Sequence, residues 1–120
     1  MRDTKTSNPE MIKLIRLLKK EGREKQANIW LTVAEHLSKP SRQRITVNLS
    51  SINRNTKRAE TIIVPGKVLG TGSLKHSVTI AAFDASDKAR QKLANAKAKY
   101  LTIPELIQKN PKGSNVKIIR

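Results

Sequence analysis

This 120-residue sequence predicts an α/β fold in a single domain, with N-terminal helices followed by strands and crossover helices. Three observations carry that expectation. Apolar residues recur at three- and four-residue spacing through the first third of the chain. Short β-branched runs with period-two alternation follow, and helix-capping signals separate them. Residues 1–120 are read as one domain, long enough to bury a modest core, with 1–7 as an extended basic arm.

The first helix starts at Asn8-Pro9-Glu10: a cap, a proline at the first helical position, and an acid beside the positive end of the dipole. Met11, Ile12, Leu14, Ile15, Leu17 and Leu18 form its apolar stripe, while Lys13, Arg16, Lys19 and Lys20 lie largely opposite. Gly22 is the expected stop. A second helix over 26–38 buries Ile29, Trp30, Val33, Ala34 and Leu37 and ends before Pro40. These two helices are expected to pack on the sheet through Ile15, Leu18, Trp30 and Val33.

Ile45, Val47 and Leu49 alternate with Thr46 and Asn48 as a half-buried strand does. Thr61 to Val64 reads as a second strand, and a glycine-rich loop, PGKVLGTGSLKHS, runs from Pro65 to Ser77. Val78 to Phe83 is a core strand, Ser86 caps a helix running to Ala94, and Lys97 to Leu101 is a short strand. Thr102 and Glu105 have capping-box spacing, so a helix follows to Lys109. Asn110 to Gly113 is a turn, and Val116 to Ile119 closes the chain as a strand. Strands alternating with helices in the second half imply parallel pairing through right-handed crossovers.

Lys and Arg number 25 against nine Asp and Glu, a net charge of +16 that is spread along the whole chain. A domain this basic repels itself, so its working state is expected to include a polyanion, nucleic acid before an anionic membrane surface. There is no cysteine, which excludes disulfides and thiolate metal sites and fits a reducing compartment. The N-terminus lacks the apolar core of a signal peptide, and no apolar run is long enough to span a membrane. The expected chain is soluble and intracellular.

The glycine-rich stretch invites a nucleotide reading, which its context opposes. Gly70-Thr71-Gly72-Ser73-Leu74-Lys75 lacks the phosphate-loop spacing and leads into a strand rather than a helix. His36 falls beside an apolar helical face, where a structural hydrogen bond explains it better than catalysis. Asp84 and Asp87 flank Ser86 and read as capping residues. No metal cluster or triad is legible, so no cofactor and no small-molecule substrate are expected. Basic clusters, in contrast, coincide with turns: Lys39, Ser41, Arg42, Gln43 and Arg44; then Arg54, Lys57 and Arg58; then Lys67 and Lys75 around the glycines. His76 could touch phosphate or simply be solvated. Trp30, Phe83 and Tyr100 are the only aromatics and all fall at core positions, which disfavours base stacking. Backbone and shape recognition of folded RNA remains, with Gly70 and Gly72 allowing close main-chain approach to phosphates. Lys19 and Lys92 read as lysines on solvated helix faces.

The segments KPSRQRITVNLSSINR, ETIIVPGKVLGTG, VTIAAFDASDKA and NPKGSNVKIIR, in that order, resemble the archaeal family of large-subunit ribosomal protein eighteen-e. That family is related to bacterial large-subunit protein fifteen. The resemblance covers nearly the whole chain. It implies an irregular superhelix of strand, strand and helix units, and one ribosomal RNA-binding domain. The implied role is a structural constituent of the cytoplasmic ribosome that supports subunit assembly, beside ribosomal RNA and neighbouring ribosomal proteins, with no membrane partner. Lys39, Arg42, Arg44, Asn48, Arg54, Lys67 and Gly70 match the family's RNA-facing segments. To these the basic-loop reading adds Arg2, Lys5, Ser41, Gln43, Lys57, Thr71, Gly72, Lys75, His76 and Lys112. Ser51 stands where the family commonly has a basic residue and Asn55 where an aromatic is common, which weakens any grip by the 51–55 turn. The alternative is a free-standing regulatory or chromatin-associated nucleic-acid binder.

Overall fold

Parallel pairing requires each strand to be carried back over a face of the sheet, and the chain does this with helices on both faces, except between β2 and β3, where an irregular segment makes the crossing. A computed structural model describes residues 9–39 and 45–120. The expected Asn8 cap, the 1–7 arm with Arg2 and Lys5, and Ser41, Arg42, Gln43 and Arg44 lie outside the described residues. The elements are α1 (Pro9–Glu24), α2 (Asn28–Leu37), β1 (Ile45–Asn48), α3 (Leu49–Asn55), β2 (Thr61–Leu69), β3 (Thr79–Ala85), α4 (Asp87–Asn95), β4 (Lys99–Thr102), α5 (Ile103–Lys109) and β5 (Val116–Ile118).

All strand pairs are parallel, in the order β1-β2-β3-β4. The fifth strand shares an edge with the first: β1 pairs with Gly66–Leu69 of β2, and β5 pairs with Thr61–Ile63. Alternation along the strands separates two cores. Ile63, Ala81 and Leu101 face α1, α2 and α5. Ile62, Val64, Ile80 and Ala82 face α3, α4 and the segment carrying Leu74 and Val78. Within the first layer α1 packs chiefly on α2 and α5 and so lies outermost, rather than directly on the strands as expected.

Several elements differ from the sequence expectation, each for a physical reason. The strand from Ile45 ends at Asn48, and Leu49 begins a short helix that the sequence showed only as a turn. Leu49 continues the alternation of Val47, so period two hides the helical pair Leu49 and Ile52, both fully buried. The second strand does not stop at Val64 but runs through Pro65 and Gly66 to Leu69. Its pairing with β3 slips by one residue between Val64 and Lys67. Proline, which has no N–H to give, is tolerated at such a bulge. The glycine-rich loop therefore begins at Gly70, and Lys67 belongs to a strand.

Gly22 does not end α1, which continues to Glu24. The stop is Gln26 at φ +53°, with the Ala27 N–H donating to the Gly22 carbonyl at 2.9 Å. Gly22 is buried because Leu31 lies over it: a Cβ there would stand 2.7 Å from Leu31 Cγ. Asp84 is not a helix-capping residue but part of β3, whereas Ser86 caps α4 by accepting from the Ala89 N–H at 3.1 Å. The capping box of Thr102 and Glu105 forms as expected. Of the three aromatics only Trp30 is fully buried; Phe83 and Tyr100 are half-buried at the edges of the cores.

His36 is buried on α2, where the Arg120 guanidinium lies 3.0 Å from its Nε2. Arginine has only donors, so Nε2 accepts and the ring is neutral, its proton on Nδ1. Burial, then the charges of Lys39 and Arg120, hold its pKa below the ordinary 6.5. A base depressed on folding binds fewer protons folded than unfolded, so stability rises with pH across that interval. Its contribution is complete above pH 6.5 and declines as pH falls from there toward the folded value. Urea titrations across that range should show His36→Gln losing less stability on acidification than the parent. Parallel pH profiles would refute the assignment.

Candidate nucleic-acid interface

The connection from β2 to β3, residues 70–78, crosses one face of the sheet without any helix. Its shape is set instead by the helices beside it. The Ser50 N–H, in the first turn of α3, donates to the Thr71 carbonyl at 3.1 Å. Further along α3, Asn53 Oδ1 accepts from the Lys75 N–H at 2.9 Å. Thr56, just past the helix, gives its hydroxyl proton to the Ile52 carbonyl at 2.7 Å and lies 2.8 Å from His76 Nε2. With that proton committed, the His76 Nε2–H must be the donor. Leu74 is buried in the core below.

On its other side α4 fastens the segment. Lys92 Nζ donates to the carbonyls of Gly70 and Gly72, at 2.7 and 2.6 Å. This lysine is only half-buried, but its charge is turned inward; the reading of a purely solvated residue is corrected. Gly70 is buried, and a Cβ on it would stand 2.9 Å from the Ala89 N–H nitrogen and 2.7 Å from Lys88 Cγ. Gly72 is exposed at φ +88°, and its Cβ would stand 2.8 Å from the Ser50 nitrogen. Both glycines therefore serve close packing within the chain. The strap that results leaves Thr71, Gly72, Ser73 and Lys75 facing outward.

The cations near this strap fall into two groups. At the N-terminal end of the strands, Arg54, Lys57, Glu60 and Lys117 surround a shallow basin. Lys117 Nζ donates to the Asn55 carbonyl at 2.7 Å, and the Glu60 carboxylate accepts from the Lys57 N–H. At the C-terminal end Asn48, Lys67, Thr71 and Gly72 gather with Lys88. Here Asp84 stands 4.0 Å from Lys67 and 3.3 Å from Arg90, with Lys67 and Asp84 each about half exposed. Such a surface pair contributes roughly 0–1 kcal/mol, so Lys67 stays available to an outside anion. Arg90 also lies over the Tyr100 ring, 5.6 Å from its centroid.

The expected residues thus divide between the two ends of the strap: Arg54, Lys57, Lys75 and His76 lie toward one, with His76 turned inward to Thr56, and Asn48, Lys67, Gly70, Thr71 and Gly72 lie toward the other. Lys39 is exposed beyond the end of α2. Lys112 is exposed in the turn held on α2 by the Trp30 Nε1–H, which donates to the Pro111 carbonyl at 2.7 Å. It belongs to the opposite face of the sheet. Sequence reasoning missed Ser50, Asn53, Lys92 and Lys117, because their partners lie 20 or more residues away and leave no local pattern. Among the described residues no group of His, Asp or Glu could hold a metal ion, and no helix is long and apolar enough to cross a membrane. Of the apolar stripe of α1, Met11, Leu14, Ile15 and Leu18 are buried in the core, and Ile12 and Leu17 are half-buried.

Residues 1–120 match the family described as ribosomal protein 60S L18 and 50S L18e. The chain is 49% identical over 119 residues to the large ribosomal subunit protein eL18 of Methanoregula boonei, covering 99% of this chain and 98% of that one. It is 47% identical over 116 residues to the eL18 of Methanothermobacter thermautotrophicus, covering 97% and 95%. Against the eL18 of Methanospirillum hungatei it is 46% identical over 114 residues, covering 95% and 94%.

Proposed function

This chain belongs to the ribosomal protein 60S L18 and 50S L18e family, and from that premise we propose that it binds large-subunit ribosomal RNA by backbone and shape contacts. In this reading it is a structural constituent of the ribosome in the cytoplasm, supports subunit assembly, and touches neighbouring ribosomal proteins. The observation that carries the RNA reading is the fastened strap over 70–78. A glycine-rich loop free to move would lose conformational entropy on binding; one already tied to α3 and α4 loses little. It offers outward main chain at Thr71 and Gly72, with Lys75, Arg54 and Lys57 toward one end and Lys67 toward the other. Gly70 contributes by letting the strap close against α4, and His76 by anchoring it to Thr56. The basic residues 39–44 and the arm bearing Arg2 and Lys5 extend the same electrostatic footprint along the chain, as does Lys112.

The test is salt-dependent binding of a large-subunit RNA fragment. Removing a cation that neutralises one phosphate should flatten the fall of log affinity with log salt by roughly 0.7–0.9. Lys75→Ala and Arg54→Ala should each weaken binding and flatten the slope by about that amount. Lys92→Met should also weaken binding, but with the slope nearly unchanged, because its charge holds the strap. Lys109→Ala, on α5, is the control. Equal losses at all four positions would leave only diffuse electrostatics and remove the special role of the strap.

A further inference from the structure

The outer face of α1 carries a second concentration of charge that the strap does not explain. Met11, Leu14, Ile15, Leu18 and Gly22 are buried on one side of this helix. On the opposite side lie Lys13, Arg16, Lys20 and Arg23, all exposed, with Lys19 half-buried beside them. Arg16, Lys19, Lys20 and Arg23 line a shallow depression in which Glu24 is the one acid. None of the five cations is in an ion pair among the described residues, where the only salt bridges are those of Asp84.

A merely solvated helix face usually alternates its charges so that neighbours at three and four residues attract. Here Lys13 and Arg16, Arg16 and Lys20, Lys19 and Arg23, and Lys20 and Arg23 are all like-charged neighbours. Against these four repulsive spacings stand two attractive ones, Glu10 with Lys13 and Lys20 with Glu24, so an extended anion along the face would relieve a net repulsion. From Lys13 to Arg23 the stripe runs about 15 Å at helical rise, long enough to meet several phosphates of one strand.

We propose that this face of α1 is a second RNA-backbone surface, so that one chain holds two RNA segments on opposite sides of its sheet. α1 is the outermost element on the side of α2 and α5, while the strap and α3 cover the other side. One RNA strand lying flat on the strap cannot also lie on α1. The inference rests on the RNA-binding reading but not on the strap itself. The physical role is that of a clamp between two parts of a folded RNA.

The experiment uses the full chain, limiting, with an excess of a short RNA duplex carrying either a donor or an acceptor dye. Energy transfer then requires two duplexes on one chain. The parent should give transfer at low salt, and Arg16→Gln with Lys20→Gln and Arg23→Gln should abolish it while still binding one duplex. These are exposed residues that repel one another, so a melting temperature equal to or above the parent's should accompany the loss. Arg54→Gln with Lys57→Gln and Lys75→Gln should also abolish transfer, with one duplex retained through α1. Were this second variant to bridge normally while the α1 variant did not, the α1 surface would stand and the strap would fail. No transfer with the parent, or full transfer with the α1 variant, would overturn the proposal. So would an α1 variant that bridged RNA normally but no longer bound phosphatidylserine vesicles, which would make the stripe a membrane surface.

Discussion

Trp30→Ala is expected to destabilise the protein by about 3–5 kcal/mol, the range for truncating a large aromatic inside a core. Trp30 is fully buried between α1, α2 and the sheet, in the same cluster as Ile15, Leu18 and Val33. Its removal leaves a cavity that surrounding helices cannot close without giving up their own packing. It also removes the Nε1–H that ties the Pro111 carbonyl to α2 at 2.7 Å. That bond positions the turn before β5, where Gly113 at φ +67° passes close over Ile29. A domain with total stability of roughly 5–15 kcal/mol would lose a large fraction of it. Trp30→Phe weighs the two effects differently, because it keeps the larger part of the buried ring while removing the donor altogether. Its cost should be smaller by more than half, with the C-terminal turn loosened first in hydrogen exchange. Urea unfolding of both variants is the measurement, and a Trp30→Ala cost under about 1 kcal/mol would show that the ring is not a core residue.

Gly66→Ala is the second large effect, expected to reach about 3 kcal/mol or more. Gly66 lies in β2 directly opposite Ile45 in β1, and it is buried. A Cβ there would overlap the Ile45 carbonyl oxygen and stand 2.8 Å from its carbon. Overpacking by a methyl usually costs roughly 1–3 kcal/mol, where a side chain can move aside. Here the obstacle is main chain held in a ladder, so β1 itself must separate from β2. Because α3 follows β1 directly and anchors the strap through Ser50 and Asn53, RNA binding should fall with it. Gly70→Ala presses partly on the flexible Lys88 side chain and should be the milder of the two. A Gly66→Ala protein as stable as the parent, with its affinity intact, would mean that β1 pairs differently.

The strap's chemistry was legible in outline and misplaced in detail. PGKVLGTGSLKHS stood out because glycines, lysines and a histidine sat between apolar runs, and its failure to match a phosphate loop was readable from spacing alone. That it is half strand was not readable. Pro65 and Gly66 are turn residues by local preference; they are strand because Gly66 pairs with Ile45 of β1 and because the pairing of β2 with β3 holds on either side of them, at Val64 and at Lys67. Lys92 shows the same limit from the other direction. Nothing within its own helix distinguishes it from Lys88, and its role exists only because the carbonyls of Gly70 and Gly72 come within reach.

Signals that act within one helical turn or between alternate residues determined much of this protein from sequence alone. The Ser86 cap, the capping box of Thr102 and Glu105, the inward faces of α1 and α2, and the alternation in β1 are of that kind. Net charge is of that kind too, since it needs no fold to be counted. Tertiary structure alone decided that β5 lies end to end with β1 along one edge of β2, and that α3 follows β1 without a break. It also decided which glycine meets which neighbour, and that basic residues gather on both sides of the sheet. These outcomes join residues from 20 to more than 80 positions apart. At that separation the chain carries no periodic mark of its partner; the choice is made when burial of two separate apolar faces selects one packing of the elements.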